Sequence, residues 1–360
     1  MKQDRIMKIA AVYCAIFTLI VVTGLGYYMK NRTIVYATGG TLQESDAEFE
    51  TKKDKVSEVR SKTLEVVAWS KEKTVEIPIT ESVTEDKFVI MNSYAQKSFD
   101  IYIDGLPENF FDSQKMQADF SHVNGVTYSY VDGITKLEIG LNSVYECDVT
   151  RENSKLILRL YSPSERYEHI VLVDVGHGGE DVGENKHGIS EKEATLMLAE
   201  ALETVNNRKN FKLYFTRLDD LGKSEEEILQ LVQLFEADVL LSIHTATDED
   251  LSNYGINVFY NEDYYTKQLD TARLSYELAV KVAEHTYNRA NGIWGAQEEQ
   301  TLIKNANIPA IELQFGYLSN QKEVELLRDR EYYNRIAKGI MEAFDVIFTE
   351  DVSILENENE

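Results

Sequence analysis

Residues 171–179 read Val-Leu-Val-Asp-Val-Gly-His-Gly-Gly, an apolar run that breaks into a Gly-His-Gly-Gly turn. The run has the length and composition of a strand, and it sets His177 just past the strand's end. Two other stretches share this character. Residues 191–199, Glu-Lys-Glu-Ala-Thr-Leu-Met-Leu-Ala, read as the first turns of a helix beginning at Glu191. Residues 239–244, Val-Leu-Leu-Ser-Ile-His, form a second apolar strand that ends on His244. Two imidazoles and one carboxylate at the ends of regular elements make a three-ligand zinc set with one position open, the arrangement of a hydrolytic site rather than a structural one.

Each residue also has a plain explanation when taken singly. His177 is then a turn histidine satisfied by backbone. Glu191 answers the helix dipole beside a Ser190 cap. His244 is a buried strand-end histidine. Ligand type and number favour metal binding for the three together. Glu193 competes with Glu191 as the carboxylate ligand.

Outward from these stretches, residues 169–350 alternate strand-like and helical runs. Strands are expected at 170–175, 213–216, 239–244, 256–260 and 308–315. Helices are expected at 191–207, 225–235, 271–290, 323–327 and 332–348. Such alternation indicates an α/β fold with helices on both faces of one sheet, and ligands collect beyond the carboxyl ends of its strands. Residues 63–162 differ. Val75, Ile77 and Ile79 alternate with polar residues, as do Phe99, Ile101 and Ile103, and Leu137, Ile139 and Leu141. Period-two alternation predicts a small antiparallel β-sandwich, with turns at Asp104-Gly105, Asn124-Gly125 and Asp132-Gly133. His122 has no ligand-spaced neighbour and reads as a surface or turn histidine.

Ile9–Met29 is uncharged and long enough to span a membrane. Lys2, Arg5 and Lys8 precede it, which favours a cytoplasmic residue 1–8 segment and the bulk of the chain outside. A cleaved signal peptide would end in a small-x-small site, whereas this run ends in Tyr27-Tyr28-Met29, an aromatic interface belt. Residues 30–62 are polar and read as a stalk, with a weak helix over 45–60; residues 351–360 are an acidic tail. The 360-residue chain carries a net charge of −25, from 62 acidic and 37 basic residues. That charge excludes nucleic acid as a partner. Cys14 and Cys147 fall on opposite sides of the expected membrane boundary, and no Cys-x-x-Cys pair exists, so neither a disulfide nor a thiolate zinc cage is expected.

The C-terminal segments closely resemble the zinc-dependent N-acetylmuramoyl-L-alanine amidases. That family's Asp-Pro-Gly-His-Gly-Gly-x-Asp-x-Gly appears as Asp174-Val175-Gly176-His177-Gly178-Gly179-Glu180-Asp181-Val182-Gly183. Its helix start appears as Glu191-Lys192-Glu193, its Thr-Arg as Thr216-Arg217, and its Ser-Ile-His-Ala-Asn as Ser242-Ile243-His244-Thr245-Ala246. Its closing motif appears as residues 309–320, Pro-Ala-Ile-Glu-Leu-Gln-Phe-Gly-Tyr-Leu-Ser-Asn. The resemblance implies a three-layer α/β amidase domain over 169–350 and Zn2+ on His177, Glu191 and His244, selecting Glu191 over Glu193. It also implies hydrolysis of the amide between N-acetylmuramic acid and L-alanine of the peptidoglycan stem peptide. The β-rich block resembles the small wall-binding domains that precede such catalytic units.

The family's catalytic glutamate position holds Gln314, counted from either the proline or the glycine of the closing motif. A carboxamide has no lone pair basic enough to take a proton from water. Val175 replaces a proline, Thr245 and Thr247 stand where small residues and asparagine are usual, and Lys304 stands near a usual arginine. No arginine occurs over 231–237. Glu312 is a substitute base on the same side of the strand, but about 6.6 Å back along it. Glu298 and Glu299 are further candidates from the preceding loop. Two readings follow: an active amidase, or a degenerate one that keeps zinc and binds wall or an envelope partner without cleaving it.

Overall fold

The computed structural model describes residues 33–35 and 52–357, except 54, 58, 69–72, 120 and 263–268. The expected membrane segment 9–29 and residues 358–360 of the tail lie outside the described residues. No helix among the described residues is long and apolar enough to cross a membrane. The chain divides into two compact units at Ser162/Pro163.

The first unit has two facing sheets. One has strands in the order 33–35, 88–93, 98–104, 134–141, 123–131, 62–63, all antiparallel; the other runs 146–152, 155–161, 74–78, 116–118, 66–68. Phe99, Ile101, Leu137 and Ile139 of the first sheet share one core with Val75, Ile77, Leu156 and Leu158 of the second. This is the sandwich that the period-two alternation predicts, because each sheet buries a single face, but it is not wholly antiparallel: strands 66–68 and 116–118 pair in parallel. Asn124-Gly125 is not a turn. It lies within the 123–131 strand as a bulge opposite Gly140-Leu141, where the Asn124 amide donates to the Leu141 carbonyl at 2.9 Å. Part of the stretch read as a stalk packs on this unit. Residues 55–57 are helical, and Val56 is buried against Met91, Tyr102 and Ile134. Residues 33–35 add an edge strand.

The second unit is built on six strands: β1 (His169–Val175), β2 (Phe211–Phe215), β3 (Val239–Ala246), β4 (Ile256–Tyr260), β5 (Ala290–Gly295) and β6 (Ala310–Tyr317). Their order is β2-β1-β3-β6-β4-β5. The first four in this order are mutually parallel; β4 runs antiparallel to β6 and parallel to β5. Val171, Val173, Leu241, Ile243, Ile311 and Leu313 point to one face. There they bury against α1 (Glu191–Val205), α3 (Thr271–Thr286) and α4 (Arg330–Asn357). The opposite face carries Tyr214, which stacks at 4.4 Å on Phe235 at the end of α2 (Glu225–Leu234). Helices thus cover both faces, and the polar site occupies the α2 face at the carboxyl ends of β1, β3 and β6.

β5 falls partly within the span read as the tail of a helix. α3 stops at Thr286 because Tyr287 takes a left-handed conformation (φ 55°) and its N–H returns to the last-turn carbonyls. The chain then re-enters the sheet as its edge strand.

Candidate metal centre and cleft

Gly176, His177, Gly178 and Gly179 turn the chain sharply at the end of β1, with His177 itself at φ 65°. Glycine at 176 is required by packing, since a Cβ there would lie 2.3 Å from His244 Cε1. Gly183 is required equally; its Cβ would meet His177 Cδ2 at 2.7 Å and Glu191 Oε2 at 2.8 Å. The loop is therefore shaped to close around three side chains.

Those side chains converge. His177 Nε2 lies 3.1 Å from Glu191 Oε2, and His244 Nδ1 lies 3.1 Å from Glu191 Oε1. The two imidazoles meet edge to face with centroids 5.1 Å apart. One ligand atom from each of the three residues falls within 4.8 Å of the others. Glu191 is buried, and its carboxylate also accepts the Thr245 N–H at 2.9 Å and the Glu184 N–H at 3.2 Å. Glu193 is occupied elsewhere: its carboxylate accepts both the backbone N–H and the hydroxyl of Ser190, closing the N-terminus of α1. The geometry thereby selects Glu191.

Burial alone would raise the Glu191 carboxyl. The hydrogen bonds from His177 and His244 overcome it and hold the group well below the usual carboxylate range. Burial likewise opposes protonation of His244, yet Glu191 and then Glu312 push that imidazole up to about 9. The Glu191 hydrogen bond raises His177 as well. A buried carboxylate between two imidazoles is a charge that a divalent cation would satisfy in place of the imidazole protons.

The donor set fits zinc: two ring nitrogens and one carboxylate oxygen, with His177 Nδ1 tied to Asp181 Oδ2 at 2.8 Å so that its Nε2 faces the centre. Residues outside the three are also committed to this geometry. Arg217, 5% exposed, donates to the carbonyls of Val175, Gly176, Lys192 and Asp219 and to Thr195 Oγ1. Thr195 Oγ1 donates in turn to the Gly176 carbonyl at 2.8 Å. Asp181, Thr195 and Arg217 were not among the expected site residues. Asp181 and Arg217 lie within quoted motifs, but nothing in a motif says that its arginine grips backbone carbonyls.

A cleft of about 380 Å3 opens on the three side chains and is lined also by Asp174, Ser242, Glu312, Gln314 and Glu299. Cross-strand register explains the set. Asp174 pairs with Ser242, Ser242 with Glu312, and His244 with Gln314, so all point to one face. Gln314 and Glu312 both reach the cleft, and the Gln314 amide donates to Glu312 Oε1 at 2.8 Å. Of the two loop glutamates, Glu299 lines the cleft and Glu298 is not among the lining residues. Burial raises the Glu312 carboxyl, against the pull of His244 and the Gln314 hydrogen bond. Asp248, Glu249 and Asp250 are exposed. His187 sits in an exposed turn with its carbonyl accepting from Arg328, and His285 pairs with Glu342; neither lines the cleft. His122 contacts the Tyr145 hydroxyl at 2.8 Å in the first unit.

Residues 171–345 match the family described as N-acetylmuramoyl-L-alanine amidase. The chain is 25% identical over 170 residues to the N-acetylmuramoyl-L-alanine amidase LytC of Bacillus subtilis, covering 47% of this chain and 34% of that protein. It is 25% identical over 182 residues to the probable cell wall amidase LytH of Staphylococcus aureus, covering 50% of this chain and 58% of the relative. Among solved structures, an N-acetylmuramoyl-L-alanine amidase from Clostridium difficile 630 aligns with a TM-score of 0.45 at 25% identity, over 49% of this chain and 94% of that one. The chain thus spans about a third of the length of the first relative and under two thirds of the second. By the family match, residues 171–345 of the second unit are an N-acetylmuramoyl-L-alanine amidase domain.

Proposed function

We propose that this chain hydrolyses the amide between N-acetylmuramic acid and L-alanine of the peptidoglycan stem peptide, with zinc held by His177, Glu191 and His244. The convergence of those three side chains at the mouth of one cleft carries the reading. When bound there, zinc polarises a carbonyl and lowers the pKa of a coordinated water. The protein's own groups do the rest. Asp181 and Arg217 fix the turn that presents His177. Glu312, held by the Gln314 amide, takes the proton of the attacking water and returns it to the nitrogen of L-alanine as the carbon–nitrogen bond breaks. Residues 9–29 anchor the chain in the membrane, which leaves the catalytic unit on the outer side, and the β-sandwich holds it near the wall.

One observation favours a second reading. Gln314 stands at the glutamate position, and a carboxamide cannot serve as the base. If Glu312 does not act in its place, the chain binds peptidoglycan or an envelope partner without cleaving it.

The deciding experiment incubates full-length protein with purified peptidoglycan and zinc and counts newly freed L-alanine amino termini. Release by the native chain establishes the hydrolase. Release only by variants at 312 and 314 establishes the second reading. No bound zinc in any form removes both.

A further inference from the structure

The cleft face of the sheet continues past Gln314 to the edge of the domain. Asn257 on β4 pairs with Gln314, and Gly292 on β5 pairs with Asn257. The row across the sheet is therefore His244, Gln314, Asn257, Gly292. One step along the same face, Glu312 pairs with Phe259 and Phe259 with Trp294. Trp294 does not stand upright on its strand. A Cβ built on Gly292 would lie 3.0 Å from Trp294 Cζ2 and 3.3 Å from Cη2, so the benzo ring of the indole covers Gly292 and joins the upper row. Phe259 supports it, with ring centroids 5.6 Å apart and 34° between planes. Trp294 remains 41% exposed. An aromatic platform thus lies three strand spacings from His244, about 14 Å, on the same surface.

The groups between platform and metal centre are neutral carboxamides. Asn257 is spent: its amide donates to Gln314 Oε1 and the Tyr317 hydroxyl, and its carbonyl accepts from Asn291. Gln314 is not. One of its two N–H groups goes to Glu312, and the other has no partner among the described residues. An indole face attracts the positive C–H face of a pyranose, and an amide donor two strands away, about 10 Å, suits a hydroxyl or N-acetyl oxygen further along the same saccharide. The acidic cleft, with Glu312 and Glu299 in its walls, disfavours a carboxylate-bearing peptide on this path but places no penalty on an uncharged sugar.

The geometry points to Trp294 as the stacking platform of a subsite for an N-acetylhexosamine ring, the glycan portion of the substrate whose amide lies at the metal centre. This rests on the amidase reading above and names which part of the substrate lies toward β5. Phe259 backs the indole, and Gly292 gives it room to lie flat.

The test uses full-length protein carrying Trp69→Phe, which leaves Trp294 as the only indole. It is titrated with the β-1,4-linked tetramer of N-acetylglucosamine, followed by fluorescence and by calorimetry. Saturable binding with a change in emission is expected. In calorimetry, Trp294→Ala weakens it at least tenfold and Trp294→Phe weakens it less, with thermal melting confirming that both variants are folded at the titration temperature. Equal affinity in Trp294→Ala, or no saturable binding by the native chain, overturns the subsite. Cleavage of peptidoglycan without saccharide binding leaves the amidase reading standing and sinks this one. Saccharide binding lost with Trp294, in a chain that neither holds zinc nor cleaves, does the reverse.

Discussion

Gln314 Nε2 donates to Glu312 Oε1 at 2.8 Å while Gln314 Oε1 accepts from Asn257 at 3.0 Å. Two residues on one strand are thereby locked into a single unit. The backbone of Glu312 lies opposite Ser242, one row below His244, but its carboxylate is drawn along the strand to the end of the Gln314 amide. The carboxylate is therefore much closer to the 314 row than backbone spacing suggests. The distance of about 6.6 Å between side chains two apart on a strand applies to their attachment points, not their tips.

This pairing makes Gln314→Glu a poor repair by itself. A second carboxylate would face Glu312 at hydrogen-bond distance, and two such groups share one proton. The single variant is expected to gain little activity. Glu312→Val with Gln314→Glu is expected to exceed it by about tenfold or more, a coupling of about 1–3 kcal/mol. If Glu312 acts as base, Glu312→Gln lowers native turnover by about 10²–10⁴. Rates of L-alanine amino-terminus release from peptidoglycan over the four-member cycle decide it. Additive effects at 312 and 314 would show that the observed hydrogen bond has no catalytic consequence.

Zinc should stabilise the second unit by binding only its folded form. At a free concentration 100 times Kd the gain is about 2.7 kcal/mol. Melting temperature is expected to rise on zinc addition and fall back with a chelator. His177→Ala and His244→Ala should abolish the rise, and elemental analysis should find the metal missing from both. A melt that ignores zinc in the native chain would mean that the three side chains do not bind it as a set.

Asp181 and Arg217 should affect metal affinity without touching the metal. Asp181→Ala removes the acceptor that orients His177 Nδ1, and such outer partners are worth about 10–100-fold in affinity. Arg217→Met strips a donor from the buried carbonyl of Val175, at about 1–3 kcal/mol, and leaves the Gly176 carbonyl with Thr195 Oγ1 alone. Zinc titration and urea unfolding separate the two effects. The first variant should lose affinity with little change in stability, and the second should lose both.

The legible parts of this chain were those where one residue decides a local outcome. His177, Glu191 and His244 sit in strand-end and helix-start motifs, and the three meet as the order of elements requires. The strands at Phe99–Ile103 and Leu137–Leu141 follow directly from alternation. What stayed hidden depends on distant partners. β5 carries glycines at 292 and 295 and splits its apolar residues between two faces, so Ala290–Gly295 shows no clear period. Asn124-Gly125 has turn composition, but the pairing of Val123 with Leu141 and of Gly125 with Gly140 holds it in a strand. Arg217 acts on carbonyls more than twenty residues away in β1 and the following turn, which no local pattern encodes.

The first unit offers a pH test independent of the metal centre. Lys136, with a largely buried side chain, lies 3.3 Å from Asp100 and 3.6 Å from Glu138. Burial would lower its pKa, but Asp100, Tyr102 and Glu138 outweigh burial and raise it above 10.5. A lysine raised on folding contributes stability in full below its unfolded pKa, near 10.4, and loses it as pH rises through the folded value. The difference in melting between the native chain and Lys136→Met should therefore be constant from pH 7 to 9 and change only above about pH 10.5. Asp100→Asn leaves the ammonium without its closest counter-charge and should cost about 3–5 kcal/mol at neutral pH. That cost should shrink in strong alkali, where Lys136 gives up its proton. A cost that stays the same at pH 7 and pH 11.5 would assign the effect to packing around Tyr102 instead of to the ion pair.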